Sequence, residues 1–141
     1  MTLKNILNDN NKTSDEKLCA VGAVRDCLDF KSLTEKEAVC IINDLIEQVV
    51  KQPDNNIKEA IFDAMLEGYC SYNIEKKISL KPIVEDIQRF DVQCLSYILT
   101  LLGWSGKEEY RGLITSFADN PILEEDVEEA LSELNHRVKN V

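Results

Sequence analysis

Apolar residues recur along this chain at three- and four-residue steps, the spacing that puts them on one face of a helix. Polar residues mark where each run opens. Ser14 precedes Asp15 and Glu16, acids suited to a first turn. Thr34 with Glu37 reads as a capping box, and so does Ser105 with Glu108. Asn56, Asp91 and Asp126 each stand directly before a β-branched residue that begins an amphipathic run. Pro53, Gly68, Gly103 and the Asn120-Pro121 pair close runs or separate them, the glycines in the role of C-terminal caps. The pattern predicts helices over 2–9, 15–29, 35–52, 57–70, 75–89, 92–103, 107–118 and 124–138. Pro82 offers an alternative start for the fifth. No strand is predicted, and five Gly and three Pro are too few for the turns of an all-β chain of this length.

Three of these helices repeat. Ile57, Val92 and Val127 are 35 residues apart. Alignment on them superposes Ala60, Leu95 and Ala130, then Ala64, Leu99 and Leu134. Gly68 falls on Gly103, Tyr69 on Trp104, Lys76 on Arg111, Ile78 on Leu113 and Ile87 on Ile122. A single helix cannot bury such a stripe, whereas stacked copies bury it continuously. The expected architecture is therefore one all-α domain over 1–141, with repeat-like units near 1–33, 34–71, 72–104 and 105–141.

In outline this resembles the HEAT-repeat class of α-solenoids, whose second helix begins with Asp and Val and ends near Gly. Asp91-Val92-Gln93-Cys94-Leu95 with Gly103 follows that outline, as does Asp126-Val127-Glu128-Glu129-Ala130-Leu131. The chain departs from the class where an Arg usually follows the Val: here stand Lys58, Gln93 and Glu128. The period is also short for HEAT. It is near the tetratricopeptide period, but that family's Trp, Leu-Gly, Tyr, Ala and Pro pattern is missing. The resemblance implies about eight helices in four antiparallel pairs.

Charge changes the picture next. The net charge is −10, which disfavours nucleic acid and anionic membrane and favours a basic protein partner. Acidity of this kind also serves solubility alone. Half of it lies in the last quarter of the chain. From Asp119 to Glu133 there are seven acids and no Lys or Arg. A solvated face and a binding patch both fit that run.

The chemistry-bearing residues are sparse. His136 is the only histidine, near the end of the sequence where fraying is expected. The Glu133-x-x-His136 spacing of bundle metal sites needs a second copy that the chain does not have. No zinc set, calcium loop or phosphate loop is present. Cys19, Cys40 and Cys94 sit among apolar residues and read as small core hydrophobes kept reduced, which suggests a cytoplasmic protein. The opening residues lack the apolar run of a signal peptide, and no stretch approaches a membrane span. No cofactor, no metal and no enzymatic activity are expected.

If the second helices line a concave face, their outward positions form rows: Glu59, Cys94 and Glu129; Asp63, Ile98 and Glu133; Phe62, Tyr97 and Ser132. Phe62 and Tyr97 are then either exposed anchors or core residues. The candidate partner-binding set is Glu59, Phe62, Asp63, Tyr97, Asp119, Glu124, Glu125, Glu128, Glu129 and Glu133, with Trp104 a further anchor. Size, acidity and helical repeat resemble some bacterial immunity proteins of contact-dependent growth inhibition systems. That implies a monomer that forms a heterodimer with a basic, nuclease-type toxin domain and neutralises it. A general adaptor of the helical-repeat class is the alternative, and an enzyme built on carboxylates a third.

Overall fold

The computed structural model describes residues 2–139. Among them the chain is all-helical, with eight α-helices and no strand. These are α1 (Leu3–Leu7), α2 (Ser14–Asp29), α3 (Glu35–Val49), α4 (Asn55–Ser71), α5 (Lys81–Glu85), α6 (Val92–Trp104), α7 (Arg111–Thr115) and α8 (Glu124–Lys139). Single 3-10 turns at Glu75–Lys77, Ile87–Arg89 and Glu108–Tyr110 link them. Contacts divide the chain into two compact units, Met1–Asp86 and Ile87–Val141. That boundary falls inside the segment 72–104 that the repeat had treated as one unit.

In the first unit α2 packs chiefly on α4, and α3 lies against α4 as well. The core joins Leu28 of α2, Ile42, Leu45 and Val49 of α3, and Ile61, Phe62 and Met65 of α4, all essentially without exposure. Two reciprocal caps start the long helices. The Thr13 hydroxyl accepts the Glu16 N–H at 3.1 Å while Glu16 accepts the Thr13 N–H at 3.1 Å. Thr34 and Glu37 do the same at 3.1 and 2.9 Å. In the second unit α6 packs on α8, and α7 touches both. Asp91 caps α6 by accepting the Cys94 N–H at 2.9 Å. Cys94, Ile98, Leu99, Leu102, Ile114, Leu123 and Leu134 fill the space between these helices.

Several expectations from the sequence are corrected. Thr13, not Ser14, caps α2, and Asp54, not Asn56, caps α4, accepting the Asn56 and Ile57 N–H groups. Asp126 lies inside the first turn of α8 rather than before it. Ser105 forms no capping box; its hydroxyl donates to the Leu102 carbonyl and accepts from the Lys107 N–H. The fifth helix is not continuous over 75–89, because Pro82 lacks an N–H and its ring clashes with a preceding turn. Only α5 forms there, with Pro82 in its first turn where the missing donor costs nothing. Likewise 107–118 shortens to α7, where the Thr115 hydroxyl donates to the Arg111 carbonyl and the Ser116 hydroxyl to that of Leu113. Such side-chain bonds compete with the helix.

Gly68 and Gly103 are not caps either. Both lie inside their helices, at points of close approach. A β-carbon on Gly68 would stand 2.7 Å from the Ile42 side chain, and one on Gly103 2.7 Å from the Ala130 carbonyl oxygen. The cysteines divide differently as well. Cys94 is a buried core residue, but Cys19 and Cys40 are exposed, as are Cys27 and Cys70. Cys19 lies two positions from the buried Val21, and Cys40 two from Ala38 and Ile42. Two residues turn a helix by about 200°, away from the buried face.

Candidate protein-binding surface

The acidic run forms the approach to α8 and its outer face. The Asn120 side chain accepts the Ile122 N–H at 3.0 Å, and the Asn120 carbonyl accepts the Leu123 N–H at 3.0 Å. This turn buries Leu123 and leaves Ile122 outside, 70% exposed, between exposed Pro121 and Glu124. Val127, Ala130 and Leu134 hold α8 to the core. Asp119, Glu124, Glu125, Glu128 and Glu129 are consequently exposed. None of these five has an ion-pair or hydrogen-bond partner for its side chain among the described residues. Some acids elsewhere are answered, Glu16 by Lys12, Glu47 by Lys4 and Lys51, Glu35 by Lys77 and Glu108 by Arg111, while the exposed Asp15, Asp26, Asp44 and Glu109 make no ion pair among the described residues.

The inner edge of the same helix is more structured. Ser96 of α6 donates to the Asp126 carboxylate at 2.8 Å, tying α6 to the start of α8. One turn on from Thr100, Trp104 is half-buried. Arg137 lies over its ring, 5.9 Å from the centroid, and donates through Nε to Glu133 at 2.7 Å. Thr100, Trp104, Glu129, Ala130 and Glu133 line a groove of about 210 Å³.

The remaining candidates lie on α4, in the first unit, or on α6. Phe62 is fully buried, so the anchor reading is corrected in favour of the core. It falls between Ile61 and the stripe of Ile57, Ala64 and Met65, and α4 buries more than one face because α2 and α3 both pack on it. Asp63 is half-exposed and its charge is engaged: Arg25 of α2 donates to it through Nε at 2.7 Å and reaches Glu67 at 3.3 Å. The Asp63 carboxylate in turn holds the Arg25 guanidinium above its ordinary pKa. Glu67 moves the other way from a typical paired acid. A hydrogen bond with Asp29, burial and the Asp29 charge raise its carboxyl above the usual range. Glu59 is half-exposed and makes no ion pair. On α6, Tyr97 is half-buried, while Cys94 and Ile98, read as outward row members, are buried. Of the residues read as outward, Glu59, Asp63, Glu129 and Glu133 reach solvent, and Cys94, Ile98 and Phe62 do not.

Two residues of this surface escaped the sequence reading. The repeat aligns Ile122 with Ile87 and gives it no role; its flanks, Asn120-Pro121 and Glu124-Glu125, are the signal of an exposed position. Arg137, four residues after Glu133 and thus on the same helix face, is not among the sequence candidates.

Among the described residues no group of three or more His, Cys, Asp and Glu side chains is placed to hold a metal ion. No helix among them is long and apolar enough to cross a membrane. No protein-family model matches the chain, and neither a curated protein nor a solved structure shows significant similarity to it.

Proposed function

We propose that this chain is a protein-binding inhibitor, an immunity-type protein that binds and neutralises a basic toxin domain of nuclease type. The observation that carries the reading is the unanswered charge of Asp119, Glu124, Glu125, Glu128 and Glu129 beside the exposed Ile122. Glu124 and Glu125 stand in the first turn of α8, where the helix dipole favours them. Glu128 and Glu129 lie beyond that turn, and Asp119 lies before it. Some solvated acids elsewhere, Glu16, Glu35, Glu47 and Glu108 among them, pair with a lysine or arginine, and these five do not. A nuclease surface is basic because it holds phosphate, so an acidic cover is its complement. Ile122 supplies what charge alone lacks, an apolar group that gains by leaving water.

In the second unit α6 and α8, which stand one repeat apart, pack together with Gly103 at close approach to Ala130. This supports a HEAT-like stacking of helices as the scaffold, which suits binding over catalysis. The protein acts in the cytoplasm, as a monomer that becomes a heterodimer with its target.

The test is a titration against the toxin domain encoded beside it. Inhibition is expected to complete near one equivalent, to fail for unrelated toxins and to need no turnover. Protection at strongly substoichiometric amounts means catalysis and ends the reading. A specific partner without toxic activity replaces it with the adaptor.

A further inference from the structure

Resting on that reading, we infer that the groove between α6 and α8 is the socket for one arginine side chain of the basic partner. The groove is concave, bounded by an indole, a hydroxyl-bearing residue and two carboxylates: Trp104, Thr100, Glu129 and Glu133, with Ala130 as floor. Its walls already accept a guanidinium from the chain itself. Arg137 lies over the Trp104 ring while its Nε donates to Glu133 at 2.7 Å. That contact displays the chemistry the walls recognise, a flat cation against an aromatic ring with a carboxylate at its edge. Glu129 is the carboxylate the internal arginine leaves unanswered.

Guanidinium fits these walls better than ammonium. It is planar, stacks on an indole and offers a fork of donors to more than one carboxylate, whereas ammonium is a compact and strongly hydrated charge. Glu125 stands one turn before Glu129 on α8, so an arginine-rich edge of the partner reaches both.

Trp104 is the only tryptophan, so its emission reads the groove directly. The intact chain is titrated with a hexa-arginine peptide, a hexa-lysine peptide and a hexa-citrulline peptide, following Trp104 emission and, in parallel, heat release. Hexa-arginine is expected to bind with a saturable change in emission, hexa-lysine to bind with a smaller one, and hexa-citrulline to do neither. Glu129→Gln, checked for unchanged helicity, is expected to weaken hexa-arginine binding about fivefold and to diminish the emission change. Heat release with a silent Trp104, or an unchanged Glu129→Gln, overturns the socket and leaves the acidic docking face standing. If hexa-arginine releases no heat and leaves Trp104 unchanged, socket and docking face fall together.

Discussion

Gly103 of α6 lies against the backbone of Ala130 of α8, so closely that a β-carbon on the glycine would come within 2.7 Å of the Ala130 carbonyl oxygen and 2.9 Å of its Cα. Backbone cannot rotate aside as a side chain can. Gly103→Ala is therefore expected to cost about 1–3 kcal/mol by forcing α6 from α8. At Gly68 the obstacle is the end of the Ile42 side chain, which can move, so Gly68→Ala costs less. Gly22 faces nothing within 4 Å in the middle of α2, and Gly22→Ala is expected to stabilise by about 0.5–1 kcal/mol through helix propensity. Urea melts of the three variants give the order directly. A Gly103→Ala protein as stable as the parent would show that the two helices do not meet this way.

Phe62 and Ile122 are both large and apolar, and they should behave as opposites. Phe62 is fully buried between α2, α3 and α4, and Phe62→Ala is expected to cost about 3–5 kcal/mol. Ile122→Ser removes an exposed side chain and should change stability by less than about 0.5 kcal/mol. Its effect belongs to partner binding, where a tenfold or greater loss is expected of a central anchor, roughly 1.4 kcal/mol. Equal stability losses in the two variants would place Ile122 in the core and remove the anchor.

Helix number and most helix positions were legible because caps, prolines and apolar stripes are local. Thr34 with Glu37 and Asp91 with Cys94 act as the sequence implied. What failed depends on neighbours that a single stripe does not reveal. Gly68 and Gly103 were aligned with each other but given a helix-ending role, because close approach is a property of two helices. Phe62 looked outward on the periodicity of α4 alone and is inward because α2 and α3 both cover that helix. The acidic run was visible as composition. That Glu128 and Glu129 are exposed and make no ion pair, and that Ile122 stands exposed beside the run, required the fold.

The caps carry a prediction of their own. Asp54 accepts two N–H groups at the start of α4, from Asn56 at 2.8 Å and Ile57 at 3.4 Å. Asn56, the cap suggested by the sequence, is instead the second residue of the helix. Asp54→Ala and Thr34→Ala are each expected to cost about 1 kcal/mol, while Asn56→Ala should stay within about 0.5 kcal/mol of the parent. Thermal melts with circular dichroism separate these. An Asn56→Ala loss as large as that of Asp54→Ala would move the start of α4.

The last prediction concerns acid. Four groups meet where α2 crosses α4: Arg25 and Asp29 from α2, Asp63 and Glu67 from α4, with Ser71 in contact with Glu67. Arg25 gives its shorter bond to Asp63, at 2.7 Å against 3.3 Å to Glu67. Glu67 is left facing Asp29, and its carboxyl is raised above the ordinary value by that hydrogen bond, by burial and by the Asp29 charge. A raised acid holds its proton more firmly in the folded protein than in the unfolded one. Its contribution to stability is thus fully present below the unfolded glutamate pKa, about 4.3, and is lost as pH rises through the higher folded value. At pH 7 the ionised Glu67 opposes folding, and Glu67→Gln is expected to stabilise by less than about 1 kcal/mol, the scale of partly exposed pairs. Below about pH 4 the acid is protonated in both states, and the variant and the parent should converge. Asp29→Asn removes the same repulsion, so the double variant should gain less than the two single gains added. Denaturant melts of the four proteins at pH 4 and pH 7 complete the cycle. If Glu67→Gln is the less stable protein at pH 7, the longer Arg25 contact outweighs Asp29 and the assignment of charges at this crossing is reversed.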